Sequence, residues 1–270
     1  MSTSVAEGSS APGDARSSTV VLEGKGLGKT YESRRGEPVV AVQGVDFQVH
    51  EGEFVALVGP SGCGKSTLLN LVGGLIHKSH GSLTFRGEDL SKPRREIGML
   101  FQAPVLFPWR TAVQNVLLPI DVRHQKRSDH RERAVQLLGL VGLESFVDRY
   151  PRELSGGMQQ RVALARLLLE DPEVFLLDEP FGALDEFTRE AMNLELLDIW
   201  GGSGKTVLLV THNIQEAVFL ADRVFVMSPR PGRLTEIIDV ELGRPRVIPM
   251  MRERQFQDHV FSVRKLLGVL

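Results

Sequence analysis

The chain has 270 residues, with 32 Lys and Arg against 34 Asp and Glu, a formal net charge of −2. Hydrophobic residues at 42% and charged residues at 24% are globular values and exclude a wholly disordered chain; the near-neutral balance argues against a free-standing nucleic-acid binder, which carries a basic excess. The single cysteine, Cys63, excludes an intrachain disulfide and a multi-cysteine zinc site, and no uncharged apolar run reaches the roughly 18 to 20 residues that cross a bilayer.

Residues 1–18 are rich in Ser, Ala and Gly, lack apolar periodicity and read as a disordered tail. They have neither the basic start nor the apolar stretch of about 7 to 15 residues of a signal peptide. Val20 to Leu22 and Val39 to Val49 are β-branched, and Val45 to Val49 alternate apolar with polar, so strands are expected there. Glu53 to Val58 is a near-continuous apolar run, the pattern of a strand buried on both faces. A glycine-rich turn follows, then a helical stretch from Ser66 to Leu75.

Residues 103–160 read as a helical insertion. Val122 to Leu140 has helical spacing, with Val135, Leu138 and Val141 on one face. Its basic residues Arg123, Lys126, Arg127, Arg131 and Arg133 are interleaved with Asp121, Asp129 and Glu132, a solvated face rather than a nucleic-acid patch. Glu173 to Leu177 and Thr206 to Val210 are further short apolar runs with helical patterns between them. Strands alternating with helices imply an α/β core with a parallel sheet. Beyond residue 235, Phe256, Val260, Val263 and Leu267 form a helical stripe beside Arg252, Arg254, Arg264 and Lys265. Packing on the core is the reading; a membrane-surface helix is the alternative.

The chemistry begins at Gly59-Pro60-Ser61-Gly62-Cys63-Gly64-Lys65-Ser66-Thr67, which fits G-x-x-x-x-G-K-[ST] between a buried strand and a helix. Such a loop curls its backbone N–H groups around phosphates, and the helix start adds its positive dipole end. Lys65 would reach the β and γ phosphates and Ser66 would ligate Mg²⁺. Cys63 reads as a small residue suited to a tight turn, with a reactive thiolate as the alternative. Gly201 to Thr206 also contains G-K-T, but Ile199 stands where the first glycine belongs, so this is a surface turn.

Val174 to Glu179 is an apolar strand ending in two carboxylates, costly to bury without a cation. Asp178 is the candidate for holding Mg²⁺, and Glu179 for orienting or deprotonating a water. Leu154-Ser155-Gly156-Gly157-Met158-Gln159-Gln160-Arg161 adds a helix start offering N–H groups and a hydroxyl to a phosphate. With these three segments in this order, the sequence resembles the ATP-binding cassette (ABC) family across about residues 20 to 235. Met158 departs from that family's LSGGQ signature.

The resemblance implies an α/β fold: a P-loop ATPase core, mostly parallel sheet with flanking helices, plus an antiparallel β subdomain and an α-helical subdomain. It implies ATP and Mg²⁺ as ligands. Tyr31 matches the aromatic that stacks on adenine, with a surface tyrosine as the alternative. Gln102 matches the glutamine that senses Mg²⁺ and the attacking water. Asp185 falls in the loop that meets a second copy, and His212 is the switch histidine. The family's site is composite, with Ser155, Gly156 and Gly157 of one copy facing the phosphate loop of the other.

Three stretches resemble the importer subgroup for nitrate, taurine and aliphatic sulfonates: Ala103 to Val116, Phe181 to Arg189 and Met227 to Arg233. This implies a homodimer on the cytoplasmic face of the membrane, docked through Phe107, Pro108 and Trp109 on an integral-membrane permease. A solute-binding protein outside the membrane would deliver the solute, and no nucleic acid would take part. A thiamine pyrimidine precursor as solute, or a soluble ABC ATPase that remodels a nucleic acid or protein complex, are the alternatives.

Overall fold

The computed structural model describes residues 19–32, 36–182 and 184–269; the expected disordered tail lies outside them. The strands are β1 (Val20–Tyr31), β2 (Val39–His50), β3 (Phe54–Val58), β4 (His80–Phe85), β5 (Glu88–Asp89), β6 (Ile97–Leu100), β7 (Val174–Asp178), β8 (Thr206–Val210), β9 (Arg223–Met227) and β10 (Leu234–Asp239). The helices are α1 (Lys65–Val72), α2 (Ala112–Val116), α3 (Leu118–Val122), α4 (Arg127–Leu140), α5 (Gly156–Glu170), α6 (Glu186–Gly201), α7 (Ile214–Leu220) and α8 (Arg254–Leu266).

The main sheet runs β10-β9-β3-β8-β7-β6. Its five strands from β9 to β6 are parallel, and β10 closes the edge antiparallel to β9. Period two sorts each parallel strand onto two cores. Phe54, Ala56 and Val58 face the helical layer, while Val55 and Leu57 face α1 and the second sheet. Phe175 and Leu177 divide from Val174 and Leu176 in the same way. Both faces being covered, the sequence shows continuous apolar runs rather than alternation.

The second sheet is antiparallel, β2-β1-β4-β5. Leu68, Leu69, Leu71 and Val72 of α1 fill the space between the two sheets. On the other face Phe54 meets Trp200 edge-on, with centroids 5.5 Å apart; cutting such a buried ring to Ala costs about 3–5 kcal/mol.

Within residues 103–160 lie α2, α3, α4, two 3₁₀ turns and the approach to α5. The expected helix from Val122 is split. α3 ends at Val122, His124 takes a positive φ of 54°, and α4 starts at Arg127. Asp121 pairs with Arg127 across that break and with Arg110 on its near side. α8 buries Phe256, Val260 and Val263 and packs against α7, and β10 carries the main sheet on to Asp239.

Candidate active site

Four parallel strands deliver four segments to one edge of the main sheet. After β3 comes the glycine loop, after β6 Gln102, at the end of β7 Asp178 and Glu179, and after β8 His212. In open α/β sheets ligands bind beyond the carboxyl ends of the strands. A cleft of about 550 Å³ opens there, lined by residues that include Ser61, Lys65, Ser66, Gln102, Glu179 and His212.

The loop's shape is imposed by its glycines. Gly64, the N-cap of α1, has φ +109°, and a Cβ on it would lie 2.6 Å from the Ala41 carbonyl oxygen. Lys65 is buried, and its Nζ donates to the carbonyls of Gly59 (2.8 Å) and Pro60 (3.0 Å). Gly59 and Pro60 thus hold the lysine. Cys63 is buried, with its N–H on the Pro60 carbonyl at 3.3 Å. None of these three lines the cleft, whereas Gly62, Gly64 and Thr67 do.

Ser66 Oγ donates to Asp178 Oδ1 at 3.2 Å. Burial pushes the Asp178 carboxyl above its ordinary range; the Ser66 hydroxyl opposes the rise, Glu179 adds to it, and Lys65 opposes it. A carboxylate held where its charge is poorly solvated, beside a hydroxyl, fits a divalent cation. Among the described residues no group of three or more His, Cys, Asp or Glu could hold a metal. The Ser66 hydroxyl and Asp178 carboxylate are an oxygen pair that suits Mg²⁺, which is commonly held by one or two protein oxygens together with water and substrate phosphates.

Glu179 has a φ of +44°, uncommon for a residue other than glycine. Its amide donates to the Val210 carbonyl at 2.9 Å. Its Oε2 accepts from Gln102 Nε2 at 3.1 Å and lies 3.2 Å from His212 Nδ1. Two residues distant in sequence converge on one carboxylate oxygen.

The remaining expected residues stand outside this cleft. Tyr31, at the end of β1, is exposed, with Lys29 Nζ 5.1 Å from its ring centroid. Ser155 caps α5, accepting from Met158 N at 3.3 Å, with Gly156 and Gly157 opening the helix. Gln159, shifted by the Met158 substitution, donates to the Pro151 and Leu154 carbonyls. Asp185 caps α6; the hydroxyl and amide of Thr188 hold its carboxyl below the usual range.

Two residues escaped the sequence reading. Arg230 lines the cleft and donates from Nε to the Gly62 carbonyl at 3.2 Å. Glu216 is buried under the His212 segment, accepting from Thr211 Oγ1, while its amide donates to Asn213 Oδ1 at 3.1 Å. The available signal for Glu216 was an acid among the apolar residues of α7.

Away from the cleft, Phe107 and Trp109 stack with centroids 5.0 Å apart, and Trp109 is 69% exposed. Asn115, fully buried, fixes this loop. Its Oδ1 accepts from Phe107 N at 2.8 Å, and its Nδ2 donates to the carbonyls of Phe107, Arg110 and Thr111. No helix among the described residues is long and apolar enough to cross a membrane.

A glycine loop opening a helix, a lysine on that loop and a serine–carboxylate pair at a neighbouring strand end together define a P-loop ATPase. Residues 42–182 match the sequence profile of the family described as ABC transporter. The chain is 42% identical, across 91% of its length and 92% of the relative's, to an uncharacterized ABC transporter ATP-binding protein of Methanocaldococcus jannaschii. It is 45% identical to a taurine import ATP-binding protein of Rhizobium johnstonii, covering 79% of this chain and 82% of that one. It is 43% identical to an aliphatic sulfonates import ATP-binding protein of Bacillus cereus, covering 80% and 85%. Among solved structures, an ATP-binding cassette dimer in a post-hydrolysis state with ADP and phosphate superposes with a TM-score of 0.75. That cassette is 34% identical, and the match covers 82% of this chain and all of that one. The chain belongs to the ABC transporter family, as an ATP-binding and ATP-hydrolysing subunit.

Proposed function

We propose that the chain powers an importer for taurine, sulfonate or nitrate-type anions, working as a pair of cassettes at the cytoplasmic face of a separate integral-membrane permease. The observation that carries the catalytic part is the convergence on Glu179. One carboxylate oxygen takes contacts from Gln102 and His212, beside the Ser66–Asp178 pair.

In this reading the amides of the loop residues that line the cleft, Ser61, Gly62 and Gly64 to Thr67, and the Lys65 ammonium bind the phosphates, with Gly59, Pro60 and Cys63 shaping the loop behind them. Ser66, Asp178 and Gln102 would hold Mg²⁺, which would supply charge neutralisation at the phosphate oxygens. Glu179 orients a water and takes its proton. His212 and Gln102 fix the carboxylate, so its direction is set before the nucleotide reacts. Tyr31 stacks on the adenine. Ser155, Gly156, Gly157 and Asp185 stand outside the cleft of their own chain, which supports a site completed by a second copy; the solved dimeric relative supports the same arrangement.

The exposed Phe107–Trp109 pair, rigidly mounted by Asn115, is the surface offered to the permease, an aromatic anchor of the kind that dominates interfaces. The relatives' names support the taurine and sulfonate class, and a solute-binding protein outside the membrane completes the assembly. Two experiments test this. Lys65→Ala abolishes ATP binding in calorimetry; unchanged affinity removes the lysine's assigned role. The tagged chain is recovered from native membranes with an integral-membrane protein, and Phe107→Ala with Trp109→Ala loses it. Recovery of the wild-type chain with no membrane protein refutes the importer reading.

A further inference from the structure

We infer that Arg230 is a second cation of the nucleotide cleft, contacting the phosphate chain of bound ATP alongside Lys65. This rests on the reading of the cleft as the ATP site.

Arg230 belongs to the connection between β9 and β10, far from the glycine loop in sequence. Its guanidinium nevertheless lines the same cleft as Ser61, Gly62 and Lys65. Its Nε donates to the Gly62 carbonyl at 3.2 Å, which sets the planar group against the outer arm of the loop.

The mount is rigid. Ser228 N donates to the Arg233 carbonyl at 2.9 Å, and Ser228 Oγ accepts from Arg233 N at 3.0 Å and donates to the Pro231 carbonyl at 3.1 Å. Gly232 N donates to the Ala41 carbonyl at 3.0 Å, and Gln43 N returns a bond to the Gly232 carbonyl at 2.9 Å. A Cβ on Gly232 would fall 2.0 Å from the Cys63 carbonyl oxygen, so the turn is wedged directly against the glycine loop. The fixed backbone of the turn and the bond to Gly62 aim the exposed guanidinium at the loop, which limits the conformational entropy lost on meeting a ligand.

Charge gives the position its meaning. Among the residues lining the cleft, Lys65 and Glu179 offset each other, and Arg230 makes the lining net positive toward a polyanion. No carboxylate of the described residues pairs with Arg230; its one recorded bond is to a backbone carbonyl. The remaining guanidinium N–H groups are a planar fork suited to phosphate oxygens.

The alternative role is a brace for Gly62, and two substitutions separate the two. Arg230→Gln keeps an N–H for the Gly62 carbonyl but removes the charge. Arg230→Lys keeps the charge. Calorimetric titration of each full-length variant with Mg·ATP, over a range of salt, gives the answer. Arg230→Ala and Arg230→Gln are expected to bind ATP about 10-fold more weakly, a difference of about 1.4 kcal/mol. Their affinity also falls less steeply with salt, and Arg230→Lys recovers most of the loss. Wild-type affinity and salt slope in Arg230→Gln overturn the inference in favour of the brace. Wild-type affinity in all three variants, with Lys65→Ala unable to bind, overturns it while leaving the cleft's assignment intact. Wild-type affinity in Lys65→Ala overturns the reading on which it rests.

Discussion

Glu179→Gln removes one negative charge at nearly constant volume, at the point where three segments meet. In the structure Glu179 Oε2 takes Gln102 Nε2 at 3.1 Å and His212 Nδ1 at 3.2 Å. An amide oxygen in the same place keeps both contacts in neutral form. Bonds to a charged acceptor contribute about 1.5–3 kcal/mol and neutral ones about 0.5–1.5 kcal/mol. For two contacts the loss is about 2–3 kcal/mol before screening, and less in the fold because the side chain is partly solvated, with 20% of it exposed. Lys65 is held by Gly59 and Pro60, not by Glu179, so ATP affinity should change by less than about threefold, under about 0.7 kcal/mol. The hydrolytic step should fall by about 10²–10⁴-fold, the usual contribution of a positioned general base. Phosphate release in a single turnover measures the step, calorimetry measures the affinity, and gel filtration with ATP should show the variant accumulating as a dimer. Turnover within about threefold of wild type would refute the assignment of Glu179 as the base.

Asp178→Asn should raise the thermal stability of the metal-free chain at pH 7 while abolishing Mg²⁺-dependent hydrolysis. A carboxyl whose folded-state pKa lies above its ordinary 3.8 binds more protons folded than unfolded, so stability falls as pH rises through that window. The advantage of the asparagine should shrink as pH drops back toward 3.8, and an equal melting temperature for both chains at pH 7 would contradict the sign. Gly64→Ala should destabilise by about 2–3 kcal/mol, since φ +109° and the Ala41 carbonyl at 2.6 Å both oppose a Cβ. A melting temperature within about 1 °C of wild type would refute this.

The parallel core was legible because strands covered on both faces appear as unbroken apolar runs, as Phe54 to Val58 and Thr206 to Val210 do. β1 was legible only at its start. From Gly24 to Lys29 glycines and lysines break the pattern, and the register against β2 shifts repeatedly. α1 stops at Val72 rather than Leu75 because Gly73 and Gly74 follow, with Gly74 at φ +66°. The site was legible wherever its chemistry sits in a short contiguous motif at a strand end. Arg230 was hidden because its partner Gly62 lies 168 residues away. Glu216 was hidden because an acid in a helix reads as surface until its burial is seen.

The placement of Gln102 links the nucleotide cleft to the proposed docking surface. Gln102 leaves β6 and donates to Glu179; the same segment runs on to Phe107 and Trp109. It is tied to α5 at two points. Gln160 Nε2 donates to the Phe101 carbonyl at 2.9 Å, and Arg166 Nη1 donates to the Val105 carbonyl at 2.7 Å. The helix that holds the segment is the one capped by Ser155. In the proposed dimer, a displacement of α5 at Ser155 would be passed through these two bonds to the backbone from Phe101 to Val105. Asn115, buried beneath the Phe107–Trp109 turn, braces that turn through its amide. The proposed docking surface and the glutamine that faces Glu179 thus share one segment anchored on one helix.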